Sequence, residues 1–427
     1  MRTFTLIWFG QLVSAIGSRM TFFALTLWAW EATGSATALA LVGVFFQLPQ
    51  IPTTLFAGVI VDRLNRKTLM LLGDATTAIA TLMIGGLYLT QQLAIWHLYL
   101  VAMLAGSFSQ IQMLAYQASL SLLVPQQQYT RAASMGAIVH YGSQIFAPAL
   151  AGLLYPVIQL SGIVGIDLAT FAIAFITLLL APIPQPAKAP SQSEHWTRQL
   201  TFGFRHIWQQ PQLKALLFFT LMFVFAHDLG SALYQPMILA RTSGSAQALA
   251  SVSAAAGVGG VAGAVIVSLW GGPKRRVLGL LIGYMGAGLS KLVFGLGRSL
   301  TVWVPAQVCS SLNFPLLGSC RSAIWMAHVA PDIQGRVFAA NSLVTQIASI
   351  LATGLAGPLA DHLFEPLMMS NGGLADWLSP LFGRGAGAGM AVLYTGAAIA
   401  MVLTGIGGFF ISNLRTMEVS PNIGNNS

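Results

Sequence analysis

The chain is poor in charge. Only 7% of its 427 residues are Asp, Glu, Lys or Arg, against about 25% in an average soluble domain. A water-soluble protein of this length needs far more charge to cover its surface, so soluble enzymes, nucleic-acid modules and disordered scaffolds are excluded. Cysteine is scarce too. Cys309 and Cys320 stand 11 residues apart on one apolar stretch. On a helix that is about 16 Å, too far for them to pair with each other. No Cys/His cluster has the spacing of metal ligands. The sequence has no Gly-x-x-x-x-Gly-Lys-Ser/Thr loop, no His-Glu-x-x-His and no Gly-x-Ser-x-Gly elbow, so P-loop ATP hydrolysis and the common hydrolase chemistries are not expected. No enzyme activity, cofactor or metal is anticipated.

Apolar residues fill the space that charge leaves. They make up 56% of the chain, and the mean hydropathy is +0.74. A membrane-crossing helix takes about 20 apolar residues, so at roughly 35 residues per span and connection the chain holds about 12 spans. The apolar blocks fall at 5–30, 37–61, 69–90, 97–123, 132–155, 162–181, 215–240, 248–270, 277–297, 300–328, 337–360 and 389–411. The first block runs past Arg19 to Trp30, longer than the core of a signal peptide, and reads as a span. The expected fold is an all-α polytopic membrane protein with 12 transmembrane helices. Residues 1–181 form an N-terminal six-helix half, 182–213 a cytoplasmic linker, and 214–427 a second half with a long extracytoplasmic loop at about 362–388, read either as plain loop or as loop with a short interfacial helix. The Trp196–Trp208 stretch reads either as an amphipathic surface helix or as plain linker.

Lys and Arg set the orientation. If the N-terminus is cytosolic, 14 of the 20 basic residues fall in cytosolic segments, and Arg241, Arg298 and Arg384 fall outside. That bias places both termini in the cytoplasm. The net charge of +9 is then topological and does not point to nucleic acid.

The two halves repeat each other. Thr33-Gly34-Ser35-Ala36 recurs as Ser243-Gly244-Ser245-Ala246, an offset of 210. Arg66-Lys67 recurs as Arg275-Arg276, Pro125 with Arg131 recurs as Pro331 with Arg336, and Pro148 recurs as Pro358. Matches in one order at offsets of 205–210, six helices apart, imply parallel six-helix repeats related by an axis along the membrane normal.

A charge inside a span is costly and needs an account. Arg19 and Asp228 hold equivalent places in the two repeats, offset by 209. They are expected at similar depth with opposite sign, as a static ion pair or as the polar centre of a transport path with Asp228 as its protonatable member. Arg321 lies about 15 Å from the cytosolic end of its span and is a cavity candidate beside Asn313 and Trp325. Tyr116, Tyr141, Tyr234 and Trp28 are either packing residues or a lining for an aromatic or amphipathic substrate. Lys291 is expected to snorkel outward near Arg298. Asp74 is expected to bond the Arg63–Lys67 loop. Asp167 is expected near the outer end of the sixth span, at a helix start.

The loop after the second block reads Gly58-Val59-Ile60-Val61-Asp62-Arg63-Leu64-Asn65-Arg66-Lys67. This order resembles the signature of the major facilitator superfamily. With it, Gly10-Gln11, Gln334-Gly335-Arg336-Val337-Phe338 and Gly357-Pro358-Leu359-Ala360-Asp361 resemble its macrolide-efflux and enterobactin-exporter branch. The resemblance implies two parallel six-helix repeats and rocker-switch alternating access. It also implies proton-driven efflux of a mid-sized organic compound from the bacterial inner membrane, by a monomer. The alternative is a proton-coupled importer. The resemblance also implies that Asp62, Arg63, Arg66 and Lys67 latch the cytosolic side. Two places depart from the family pattern. The fourth block carries Gln110, Gln112 and Gln117 in place of an Arg, and Ala147-Pro148 stands where Gly-Pro is usual.

Overall fold

A computed structural model describes residues 2–125, 128, 132, 135–136, 138–182, 196–330, 333–370 and 374–417. Arg131 lies outside the described residues, as do the side chains of Asp62 and Arg63 and the surroundings of Gly58. Every regular element described is helical, as an apolar solvent demands, because a helix satisfies its own backbone groups.

In the first part of the chain, α1 (Arg2–Thr33) is followed by α2 (Ala36–Gln47), α3 (Gln50–Arg63), α4 (Arg66–Leu89), α5 (Ile95–Leu123) and α6 (Ser143–Leu180). Pro49, which has no N–H to donate, separates α2 from α3. Asn65 starts α4 by accepting the Thr68 amide at 3.2 Å. The sequel is α7 (Trp196–Gln209), α8 (Pro211–Arg241), α9 (Ala246–Trp270), α10 (Arg276–Leu296), α11 (Leu300–His328), α12 (Gln334–Leu359), the short α13 (Glu365–Met369) and α14 (Leu374–Phe382), then α15 (Ala388–Phe410) and α16 (Ser412–Thr416).

Ten helices among the described residues are long and apolar enough to cross a membrane, two fewer than the twelve expected. The difference has two sources. The blocks at 132–155 and 162–181 run together as Ile138–Leu180, broken only at Gln159, whose φ is 56°. The other source is α11, where Gln307, Ser310, Ser311 and Asn313 dilute the apolar run.

The chain divides into two compact units: residues 1–191 with 242–254, and residues 192–241 with 255–427. In the first, α1 packs along α6. Gly10 meets Thr177 and Ala174, and Gly17 meets Thr170 and Asp167, so a side chain at either place would collide with the facing helix. In the second, a large core gathers Leu216, Phe223, Tyr284, Leu317, Trp325 and Val337. The amphipathic reading of 196–208 matches a helix, α7, whose Gly203 sits against the Arg336 carbonyl of α12 and whose Ile207 is buried.

The described residues of the segment expected as a long loop at 362–388 include the short helices α13 and α14, in keeping with the interfacial-helix reading, and are tied down. The Glu365 carboxylate accepts the backbone amides of Gly387 and Met390 at 3.2 and 2.9 Å, filling orphan donors at the start of α15. Arg241 donates to the carbonyls of Gly297, Phe382 and Gly387. Arg298 donates to the carbonyl of Pro380 at 2.8 Å, and Arg384 pairs with Asp376. The three basic residues that break the charge bias are therefore consumed in capping helix C-termini and closing this segment.

The repeat is visible in detail. Ser35 and Ser245 each accept the amide three residues on, both at 3.2 Å, after a glycine of positive φ. Arg66 donates to the Ala118 carbonyl of α5 at 2.6 Å, and Arg276 donates to the Ala323 carbonyl of α11 at 3.2 Å.

Candidate functional site

Each unit contains a polar cavity of about 220 Å³ between its helices. In the first, α1 contributes Gln11, Ser14, Ala15 and Ser18, and α4 contributes Asp74, Thr77, Ala78 and Thr81. Both sets follow the i, i+3, i+4, i+7 spacing that puts residues on one helix face. Gln112 of α5 and Asp167, Leu168 and Phe171 of α6 complete the lining. Asp74 and Asp167 are 6% and 3% exposed. Gln112 donates to Asp74 at 2.5 Å and Gln11 donates at 3.4 Å. Ser18 and Thr81 donate to Asp167 at 3.1 and 3.2 Å.

These positions bear on two expectations. Asp74 is held by glutamines inside the cavity, and the Arg63 side chain of the loop expected to bond it lies outside the described residues. Asp167 is no helix-start residue: it lies eight residues past the Gln159 kink, deep between α1 and α4. The glutamine-rich fourth block, noted only as a departure from the family pattern, supplies the donor that Asp74 needs.

In the second unit, the cavity is lined by His227, Ser231 and Tyr234 of α8, Lys291 of α10, Gln307, Ser310, Ser311 and Phe314 of α11, and Tyr394 of α15. Lys291 is 5% exposed, donates to Ser231 Oγ at 3.0 Å and stands 5.6 Å from the Tyr394 ring centroid. It does not snorkel outward, because α15 and α8 enclose it. The His227 ring stacks on Phe223 and leans on Phe314.

The remaining candidates are dispersed. Arg19 is exposed within its unit, about 200° round α1 from the Gly17 contact. Asp228, in the other unit, has Ser349 of α12 as a hydrogen-bond donor and lies 3.9 Å from His227 Nε2. Arg321 is half-buried, with no hydrogen bond or ion pair among the described residues. Asn313 turns back to the Cys309 carbonyl at 2.8 Å. Tyr234 lines the second cavity, but Trp325 does not: at 3% exposure it is in the core, edge-on to Phe338. Tyr116 packs against the first unit's core, and Tyr141 stands edge-on to His140. Of the gate residues, Arg66 binds Ala118 and Lys67 binds the carbonyls of Leu179 and Ala181. These bonds clamp the ends of α5 and α6. Among the described residues no group of His, Cys, Asp or Glu could hold a metal ion.

Sequence reasoning passed over Lys291, Asp167 and Gln112 as cavity residues. The signal for them was present: Lys291 is 210 residues after Thr81, the repeat offset, so the two stand at equivalent places facing equivalent helices.

The Major Facilitator Superfamily profile matches residues 7–353. Macrolide efflux protein A of Streptococcus pyogenes is 26% identical over 84% of this chain and 90% of its own length. Enterobactin exporter EntS of Shigella flexneri is 24% identical over 81% and 78%. Among solved structures, the nucleoside transporter NupG superposes with a TM-score of 0.71 at 13% identity, covering 96% of this chain and all of that one. A bacterial homologue of the iron transporter ferroportin, in an inward-facing state, superposes with a TM-score of 0.70 at 14% identity, covering 98% and 99%. These structural likenesses show the fold, and the profile covers well over half of the sequence: the chain is a multi-pass membrane transporter, not an enzyme, and belongs to the Major Facilitator Superfamily.

Proposed function

We propose that this transporter exports a mid-sized organic compound, such as a drug, a siderophore or another natural product, and draws on the proton gradient of a bacterial inner membrane. The observation that carries the reading is the alignment of two relatives named for export across at least 81% of this chain. The halves 1–181 and 214–427 rock against each other as a monomer, with both termini in the cytoplasm, consistent with the 14-to-3 bias of basic residues. Asp228 is the protonatable member of the path and Arg19 its counterpart. Their equivalent repeat positions support this, as does the lack of any hydrogen-bond or ion-pair partner for Arg19 among the described residues of its own unit. Asp62, Arg63, Arg66 and Lys67 form the cytosolic latch.

The test is accumulation of a panel of labelled compounds in cells with and without the protein. Export lowers accumulation of at least one compound, and an uncoupler restores it. Higher accumulation would mean import, and efflux that survives the uncoupler would rule out proton coupling. Asp228→Asn should abolish uncoupler-sensitive efflux while leaving the amount of protein in the membrane unchanged. Normal, proton-dependent efflux in that variant would remove Asp228 from the path.

A further inference from the structure

The second unit's cavity contains a buried cation that no carboxylate touches. Lys291 is 5% exposed, and its direct contacts among the described residues are one serine hydroxyl and one aromatic ring, while Asp228 acts on it as a charge from beyond ion-pair distance. No carboxylate makes an ion pair with it among the described residues. Asp228, one residue from the cavity-lining His227, takes its hydrogen bond from Ser349 and meets Lys291 only as a charge at longer range. A desolvated ammonium group is expensive to keep without an anion.

The walls around it are also under-used. Ser310 is 1% exposed, and its hydroxyl has no hydrogen-bond partner among the described residues. Nδ1 of His227 is buried and equally without a partner. Both residues line the same space as Lys291. Buried polar groups are normally satisfied, and unfilled ones beside an empty volume mark where a ligand's polar atoms belong. The volume sets the size of that ligand. A cavity of about 150 Å³ holds benzene, so 220 Å³ accommodates a ring bearing one small anionic group. It is below the roughly 300–1,000 Å³ of sites for whole drug-sized molecules. Phe314 and Tyr394 give the ring apolar faces to lie against.

We infer that this cavity is an anion subsite, in which Lys291, Ser310 and His227 hold the carboxylate of an aromatic or similarly compact acidic group. The inference rests on the transport reading in one respect: the acidic group belongs to the cargo, so the exported compounds are organic acids or molecules with an acidic arm. Lys291 supplies the charge, and Ser231 positions its ammonium group. Ser310 and His227 supply neutral donors, which read the shape of the carboxylate.

The experiment uses the purified full-length protein in lipid nanodiscs, with benzoate as the probe and benzamide as its neutral isostere. Binding is measured by titration calorimetry. Benzoate should bind the wild type saturably and at least tenfold more tightly than benzamide. Lys291→Met should weaken benzoate at least tenfold and leave benzamide unchanged. Equal affinity for the two probes, or a loss below tenfold in Lys291→Met, overturns the inference. If Lys291→Met does not yield folded protein, Ser310→Ala decides: a loss of threefold or more for benzoate supports the subsite, and a smaller loss overturns it. The cell efflux assay runs beside the titration. Benzoate binding through Lys291 without efflux of any compound would sink the transport reading and leave the subsite standing. Efflux with no Lys291-dependent binding would do the reverse.

Discussion

The two cavities occupy matching places in the repeat and carry opposite charge. In the first unit, α1, α4 and α6 enclose Asp74 and Asp167; in the second, α8, α10 and α15 enclose Lys291. The acids are well served. Each has two side-chain donors, and the lining of their cavity includes no basic residue. The lysine has one hydroxyl, a ring and, at longer range, the charge of Asp228. The fold therefore dictates that a small polar space lies between these three helices, and the sequence decides separately in each half what charge fills it. The acids are knitted into the structure, whereas the lysine is left available.

That contrast predicts opposite signs for removing the charge. Asp167→Leu strands the Ser18 and Thr81 hydroxyls in a buried space and should cost about 3 kcal/mol, the sum of two lost charge-assisted bonds and unsatisfied donors. Thermal unfolding of the purified protein in detergent should show a clearly lower midpoint, with Asp167→Asn falling between the variant and the wild type. Lys291→Met removes a buried charge that no carboxylate contacts, keeps the side-chain length, and should be neutral or stabilising by about 1 kcal/mol. A midpoint several degrees below wild type for Lys291→Met would mean that the ammonium group is structural and would erase the contrast.

The spans were legible because lipid imposes a composition as well as a pattern. The repeat was legible because Gly34-Ser35 and Gly244-Ser245 do a local job that needs those residues. The cavities were not. Asp167 looked like an end-of-helix residue because a break was expected between 155 and 162; the break is there, at Gln159, but Asp167 lies eight residues beyond it, two turns into the helix that follows. Lys291 looked like a snorkelling residue because its helix taken alone gives no reason to bury it. That reason comes from Ser231 and Tyr394, 60 and 103 residues away in sequence. Arg241 and Arg298 likewise looked like exceptions to the charge bias until the carbonyls they bond were in place.

The comparison between halves sharpens at the starts of α4 and α10. Arg66 is half-buried and 2.6 Å from the Ala118 carbonyl, whereas Arg276 is exposed and 3.2 Å from Ala323. Arg66→Gln should therefore cost about 1.5 kcal/mol, as a charge-assisted bond in a partly dry setting. Arg276→Gln should stay within about 0.5 kcal/mol of wild type, as an exposed surface change does. The same unfolding measurement separates them. Equal losses would mean that the second copy of the loop has kept the full clamping role despite lacking an acidic residue.

The smallest effect tests whether the repeat is physical or only textual. Ser35 and Ser245 are both half-buried and follow glycines at φ 58° and 80°. Each accepts one amide of the next helix at 3.2 Å. Losing such a cap costs about 0.5–1 kcal/mol. Because the glycine, the bond length and the burial all match, Ser35→Ala and Ser245→Ala should lower the midpoint by the same amount within error, and the double variant should show the sum, since the two caps share no partner. Unequal losses would mean that the helices beyond the caps, rather than the caps themselves, determine what each turn contributes, and the repeat would then be a likeness of sequence that the two halves no longer use in the same way.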